Sequence, residues 1–246
     1  MGPVVRVTEN FVREISYVYW LMLVALGIKT VPFRGLKIPI KSYPQLWKVR
    51  KSLLQGRYEQ PEVELLGSSI RPDDIVLELG AGAGVVSAII GKKLGPKGRL
   101  YSYEANPALK ACIEAISQMN GLSNEVRIAA VGLTECDVEF FFDDAFVSSS
   151  KIQRVSDRKA TVVGQKSIVD LYEEVRPTVL VMDVEGAEVE ILTAMIPNSV
   201  RAVYAEFHPH ILGDEAITKM LNDLFAQGFS LVLDKTSGRV VALERK

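Results

Sequence analysis

Acidic residues are missing from a long stretch near the start of the chain. Between Ile15 and Tyr58 there is no Asp or Glu, while Lys29, Arg34, Lys37, Lys41, Lys48, Arg50, Lys51 and Arg57 give the stretch a net charge of +8. Residues 1–14 balance to zero, so residues 59–246 carry -9 within a whole-chain net of -1. The balance predicts a basic appendage over residues 1–57 and an acidic body over 58–246. Long apolar runs are scarce as well. The uncharged run Ile15–Ile28 has fourteen residues, fewer than the roughly 20 needed to cross a bilayer. It is a poor secretory signal too, because Glu9 and Glu14 occupy the region that should be positive and no small-x-small cleavage site follows. Cysteine is limited to Cys112 and Cys136, which excludes a disulfide framework and reads as two reduced packing residues in a cytoplasmic protein.

What remains is ordinary in composition: 246 residues, 48% hydrophobic and 24% charged, enough for one large α/β domain with a sizeable core. The most informative stretch is Ile75–Gly84, Ile-Val-Leu-Glu-Leu-Gly-Ala-Gly-Ala-Gly. A short apolar run closed by glycine reads as a buried parallel strand. A glycine turn and a helix from Val85 follow, the arrangement that holds a nucleotide-like ligand across the end of a sheet. The dinucleotide pattern Gly-x-Gly-x-x-Gly fails here, because its third glycine falls on Val85 in one frame and Ser87 in the other. The pattern Glu/Asp-x-Gly-x-Gly-x-Gly fits from Glu78 to Gly84 at every position. A carboxylate at the strand end repels a pyrophosphate but suits a ligand that carries an ammonium and a sulfonium, which is the description of S-adenosylmethionine. The bland alternative is a turn that only packs a helix on a strand.

Strands are expected at 75–79, 99–103, 126–131, 178–183, 201–207, 229–234 and 239–243. Helices are expected at 84–94, 107–120, 167–175, 186–195 and 214–227. This alternation implies an α/β fold with a doubly wound, mostly parallel, seven-stranded sheet. Lys235–Gly238 reads as a hairpin, so the last strand is expected to be antiparallel. Residues 138–142 read as an extra strand, residues 143–166 as an excursion from the sheet, and residues 29–50 as an irregular connector ahead of a helix over 45–54. A further helix is expected from Pro61. For Ile15–Ile28 three readings stand: a helix packed on the body or on a second subunit, an interfacial helix with Tyr and Trp at headgroup depth, and a single short span.

Site residues follow from strand ends. Glu104 lies 20 residues after Gly84 and is placed to accept both ribose hydroxyls of an adenosine, because Asn106 already serves as the cap before Pro107. Ala130 and Val131 end the next strand, where an adenine would lie. Glu78, Gly80, Ala81, Gly82, Gly84, Glu104, Ala105, Ala130, Val131, Asp183 and Glu185 are therefore the expected cofactor contacts. Asp183 and Glu185 follow the 178–183 strand, and Glu206 and His208 follow the next one. His208 is the first candidate base, since its ordinary pKa lies near neutral pH, and Asp183 is the second. Each has a bland reading as a structural residue at a strand end. Asp183 and Glu206 also sit on adjacent strand ends, where they offer a minority site for Mg²⁺.

Taken together, Glu78 to Gly84, Glu104, the run Asp183-Val-Glu-Gly-Ala-Glu188 and the Glu206 strand resemble the FkbM family of class I S-adenosylmethionine-dependent methyltransferases. The lead-in Gly56-Arg-Tyr-Glu-Gln-Pro-Glu62 is similar to that family as well. The likeness runs from about residue 55 to 243. One departure is local: the family often has Asp-x-Gly-Ala-Asn-x-Gly where this chain has Glu78 and Gly82. The resemblance implies a Rossmann-like fold and O-methylation of a sugar, a natural product or a related hydroxyl-bearing compound; membrane contact through the N-terminal segment would add a lipid-linked small molecule to the acceptors. The alternative is a domain that binds the cofactor without catalysis and serves as an adaptor at a membrane or partner. Nucleic acid is not an expected partner, since no Asn/Asp-Pro-Pro-Tyr-like element occurs and the basic clusters are the appendage and the 151–166 stretch. A small-molecule or glycan acceptor, peripheral membrane contact through residues 11–57, and a homodimer are the expected associations.

Overall fold

The computed structural model describes residues 3–142, 149–150 and 159–245. The chain opens with helix α1 (Pro3–Ala25), a hairpin of β1 (Val31–Phe33) and β2 (Leu36–Ile38), and the helices α2 (Pro44–Lys48), α3 (Arg50–Leu54) and α4 (Gln60–Ser69). The alternating body follows as β3 (Ile75–Leu79), α5 (Val85–Lys93), β4 (Arg99–Glu104), α6 (Lys110–Met119) and β5 (Glu125–Ile128). Next come β6 (Ala130–Gly132), β7 (Cys136–Phe142), β8 (Ser149–Ser150), β9 (Lys159–Ser167) and α7 (Ile168–Val175). The chain closes with β10 (Val179–Met182), α8 (Glu188–Leu192), β11 (Ala202–Glu206), α9 (Pro209–Leu212), α10 (Asp214–Ala226), β12 (Phe229–Leu231) and β13 (Val240–Arg245).

The main sheet has seven strands in the order β12-β13-β11-β10-β3-β4-β5. Six of them run in one direction, and β13, between β11 and β12, runs antiparallel to both. The winding direction reverses between β3 and β10, so a crevice opens beyond their carboxyl ends. Strand residues alternate between two cores, as a period of two requires. Leu77, Leu79, Leu180, Met182, Val203 and Ala205 face α7, α8 and α10, and Val76, Val179, Val181, Ala202 and Tyr204 face α4 and α5. Both faces are covered, which explains why β10 reads as an unbroken apolar run.

Several expectations are corrected. The run 126–131 is not one strand. β5 ends at Ile128, and after Ala129 the chain leaves the main sheet to form β6, which pairs in parallel with β9 in a separate sheet of order β6-β9-β7-β8. The extra strand expected at 138–142 is there, but as β7 of that small sheet, antiparallel to β9. The 143–166 excursion is in part this sheet, since β8 and β9 fall within it; residues 143–148 and 151–158 lie outside the described residues. Residues 29–50 are not irregular. Arg34 and Gly35 both take positive φ (49° and 78°) and join β1 to β2 as a two-residue hairpin turn. The helix expected at 186–195 spans only Glu188–Leu192, and the 229–234 strand stops at Leu231. Cys112 is buried and gives its thiol to the Ala83 carbonyl at 3.4 Å, but Cys136 is exposed, its sulfur accepting from Gln165 Nε2 at 3.6 Å.

α1 packs on the body along one face. Val24 is buried and Tyr17 and Trp20 partly so, in a cluster that joins β1, β2, α2 and α3 to Val85, Ala88, Cys112 and Ile116 of α5 and α6. Among the described residues no helix is long and apolar enough to cross a membrane.

The opposite end of the main sheet is held by one buried carboxylate. Asp74 accepts from Arg201 Nε at 3.0 Å and Nη2 at 2.5 Å, from Thr178 Oγ1 at 2.9 Å and from the Arg71 amide at 2.7 Å. This clasp fixes the entries to β3, β10 and β11. Burial alone would raise the Asp74 carboxyl, but the hydrogen bonds from Arg201, the Arg71 amide and Thr178 bring it below its ordinary value. A carboxyl lowered by folding stabilises fully above its unfolded pKa of about 3.9 and loses that contribution as pH falls through the folded value. Asp74→Asn should cost about 3 kcal/mol in urea unfolding at neutral pH, because it leaves Arg201 without its charge partner. The gap to the unchanged chain should narrow as the pH is taken below about 4.

Candidate active site

Strand register sets the site residues in a row. Leu79 pairs with Met182 on one side and with Tyr103 on the other, and Met182 pairs with Ala205. The next residues in each strand, Gly80, Asp183, Glu104 and Glu206, therefore emerge level with one another at the carboxyl edge. The Asp183 amide donates to Leu79 O at 2.9 Å, and the Gly80 and Ala81 amides donate to Tyr103 O at 2.8 Å and 3.2 Å. Gly80, Gly82 and Gly84 have φ of 86°, 54° and 83°, a conformation that L side chains rarely adopt. A Cβ on Gly80 would stand 1.8 Å from the Asp183 carbonyl oxygen. A Cβ on Gly84 would stand 2.7 Å from Ile113 Cα, so Gly84 is the glycine that lets α5 close on α6.

Over this edge lies a cavity of about 290 Å³. Glu78, Gly80, Ala81, Gly82, Glu104, Ala105, Ala130, Val131, Asp183 and Glu185 line it, whereas Gly84, Glu206 and His208 do not. Glu104 is buried, with Oε2 accepting the Gly82 amide at 2.8 Å and Oε1 the Asn106 amide at 2.7 Å. Burial pushes its carboxyl up to about 7 against the pull of those amides. Asn106 caps the following turn by accepting from the Ala108 amide at 3.0 Å. Glu78 is also buried, bonded to the Ser102 hydroxyl, and raised by desolvation.

Carboxylates crowd one wall. Burial raises Asp183 well above the ordinary aspartate range, and the charges of Glu206, Glu185, Glu59 and Glu188 add to the effect. Glu62 is raised in the same way by burial and by Asp183, Glu59 and Glu206. Asp183 Oδ1 is buried without a hydrogen-bond partner. A wall of this kind favours a positively charged ligand, which would let the acids ionise. His208, just past β11, is buried; its Nδ1 lies 2.5 Å from Glu188 Oε1, and its Nε2 lies 3.7 Å from both Asp183 Oδ1 and Glu185 Oε2. Glu188 therefore fixes the ring so that Nε2 faces the other two acids. Asp183, Glu206 and His208 each offer a donor atom within 4.8 Å of the others, and Glu206 also pairs with Arg239 at 2.5 Å.

Some lining residues carry no signal in the sequence. Lys48 and Val49, from the basic segment, and Phe140, from β7, reach the cavity only because tertiary packing carries them there. Tyr58, Glu59 and Glu62 line it as well, and the Gly56–Glu62 lead-in was the clue to them. Glu188 was visible only as part of the acidic run. Backbone strain marks the same place: Glu59 and Glu185, two of the four non-glycine residues with positive φ among the described residues, both line the cavity.

A family model described as the methyltransferase FkbM domain matches residues 78–231. The hexuronic acid methyltransferase AglP of Haloferax volcanii is 25% identical over an alignment of 194 residues that covers 76% of this chain and 76% of that one. Among solved structures, precorrin-6y C5,15-methyltransferase from Geobacter metallireducens superposes with a TM-score of 0.44 at 14% identity, covering 75% of this chain and 85% of that one. Aeropyrum pernix fibrillarin with bound S-adenosyl-L-methionine gives 0.44 at 12% identity, covering 76% and 74%.

Gly80→Ala should cost about 3 kcal/mol in chemical denaturation, since it adds a backbone collision to an unfavourable φ. Gly228→Ala isolates the second effect. Gly228 has φ 90° but nothing within 4 Å of its Cβ position, so about 1 kcal/mol is expected there.

Proposed function

The chain belongs to the FkbM methyltransferase family, and from that premise we propose that it moves the methyl group of S-adenosylmethionine to an oxygen of a small acceptor, a hydroxyl on a sugar or sugar-like compound. The observation that carries this reading is a convergence: the cavity under the glycine turn shares Asp183 and Glu185 with a cluster that contains His208 and Glu206. The acceptor class draws support from the AglP relative, a hexuronic acid methyltransferase.

The residues present suit S-adenosylmethionine. Glu104, set among the turn amides, is placed for the ribose hydroxyls, and Ala105, Ala130, Val131 and Phe140 offer apolar surface for the adenine. The crowded acids around Asp183 suit the ammonium and sulfonium. Transfer forms an O–CH₃ bond as the S–CH₃ bond breaks, and the bonding pair stays on sulfur. The protein's own tasks are to align the acceptor and to take its proton. Nδ1–H of His208 donates to Glu188, which leaves the Nε2 lone pair to receive the proton, with Asp183 and Glu185 beside it to stabilise the imidazolium. In this reading Glu188 positions the base and does not touch the reacting atoms.

A second reading is favoured by one observation, the donor set of Asp183, Glu206 and His208 within 4.8 Å. A Mg²⁺-like ion there would lower the pKa of an acceptor hydroxyl instead. Exhaustive chelation separates the two. Turnover that survives keeps His208 as the base; turnover lost and then restored by Mg²⁺ assigns the task to the ion.

Replacing His208 by Ala should lower kcat by about 10²–10⁴-fold while calorimetry with S-adenosylmethionine stays unchanged; full turnover at every pH would remove His208 from the mechanism. Glu104 generates a pH prediction. Its ionised form accepts the ribose hydroxyls, so cofactor affinity should rise as pH increases through about 7, and Glu104→Gln should flatten the curve. Tight binding of NAD in place of S-adenosylmethionine would overturn the whole reading.

A further inference from the structure

We propose that α1 seats the protein on anionic lipid through an apolar stripe that the fold leaves uncovered between basic side chains. Ile15, Val18, Tyr19, Met22 and Leu26 are each between 53% and 80% exposed. At about 100° per residue they fall within an arc of about 100°. The opposite face is occupied. Val24, Tyr17 and Trp20 pack on the body, and Ser16 Oγ donates to Leu54 O at 3.3 Å. This half of the helix is thus apolar on two sides, and packing accounts for only one of them. Isolated exposed apolar residues need no explanation, but a continuous row along a helix calls for an occupant.

Charge selects the occupant. The Lys41 ammonium lies on the Val24 carbonyl at 3.0 Å, Lys51 sits 5.7 Å from the Tyr17 ring, and exposed Lys29 follows just after the helix. Cations therefore stand near both ends of this length of helix, and Glu14, 3.6 Å from Lys51, is the acid that meets one of them. From Ile15 to Tyr58 the chain has a net charge of +8 with no acid. Apolar and aromatic residues on one face with basic residues beside them is the arrangement of a helix that lies in the membrane interface. The helix does not meet the requirements of a span. A second copy joined through the same stripe would set one +8 segment against another, whereas anionic headgroups neutralise both ends of the row. The inference is independent of the reaction.

Vesicle flotation of the full chain tests it. Vesicles of phosphatidylcholine with about one third phosphatidylglycerol should carry the protein upward, whereas pure phosphatidylcholine should bind at least about tenfold more weakly. High salt should weaken the binding to anionic vesicles. A triple variant, Val18→Ser with Met22→Ser and Leu26→Ser, keeps the charge and removes the stripe. It should bind anionic vesicles about tenfold more weakly, with its melting temperature and S-adenosylmethionine affinity unchanged. Failure of the full chain to float, or a triple variant that binds as well as the unchanged chain, overturns the proposal. So does a dimer in sedimentation equilibrium that the triple variant splits, since the stripe would then be a subunit contact.

Discussion

One close approach holds the site together: the backbone of Gly80 against the carbonyl of Asp183. No side chain fits between them. The same turn hangs its first two amides on Tyr103 O, and the Asp183 amide returns to Leu79 O. The ends of β3, β4 and β10 are thereby tied into one rigid corner. The carboxylates of Asp183 and Glu104 are delivered from different strands, yet their spacing is set by this corner and not by loops. Placing a binding site on strand ends instead of mobile connections gives it the precision that group transfer requires.

The corner is expensive in electrostatic terms. Asp183, Glu62, Glu59, Glu78 and Glu104 all have carboxyls raised by burial, so each is held in an environment that resists its charge. In the absence of a positive ligand, protons are the simplest compensation. A ligand with an ammonium and a sulfonium replaces those protons, and its binding should be coupled to their release. A sheet edge optimised for stability would not gather acids in this way. The left-handed backbone at Glu59 and Glu185 is a second local cost at the same place.

Much of this was legible in the sequence. The glycine spacing after Glu78, the buried strands around it and the acids at three strand ends each have a local physical cause, and register does the rest. Other parts depend on partners that one-dimensional patterns do not contain. Val126 to Val131 reads as a single apolar strand, and the point where it changes sheets is decided by β9, more than 30 residues away. β9 itself mixes Lys, Thr, Gly and Gln, with none of the apolar density that marks a strand buried on both faces. β1 hid behind Pro32, which is tolerated because its two-stranded sheet leaves that residue on an exposed, unpaired side. Lys48 and Val49 reach the cavity through the packing of α2 and α3, and no motif announces them. Gly84 fits the motif as well as its neighbours do, but its lack of a side chain serves helix packing.

The parting of the chain at Ala129 divides the walls of the chamber between two sheets. One residue separates a strand that belongs to the cofactor's sheet from a strand that belongs to a different one. The strands β6 to β9 form a sheet of their own, and the chain returns from it to the main sheet through α7. Phe140 and the pair Ala130 and Val131 bring that sheet's surface into the cavity, while Gly80, Glu104, Asp183 and Glu206 stand at the edge of the main sheet. Changes in that unit would therefore reshape the wall offered to the adenine, while the strand-end acids keep their register on the main sheet.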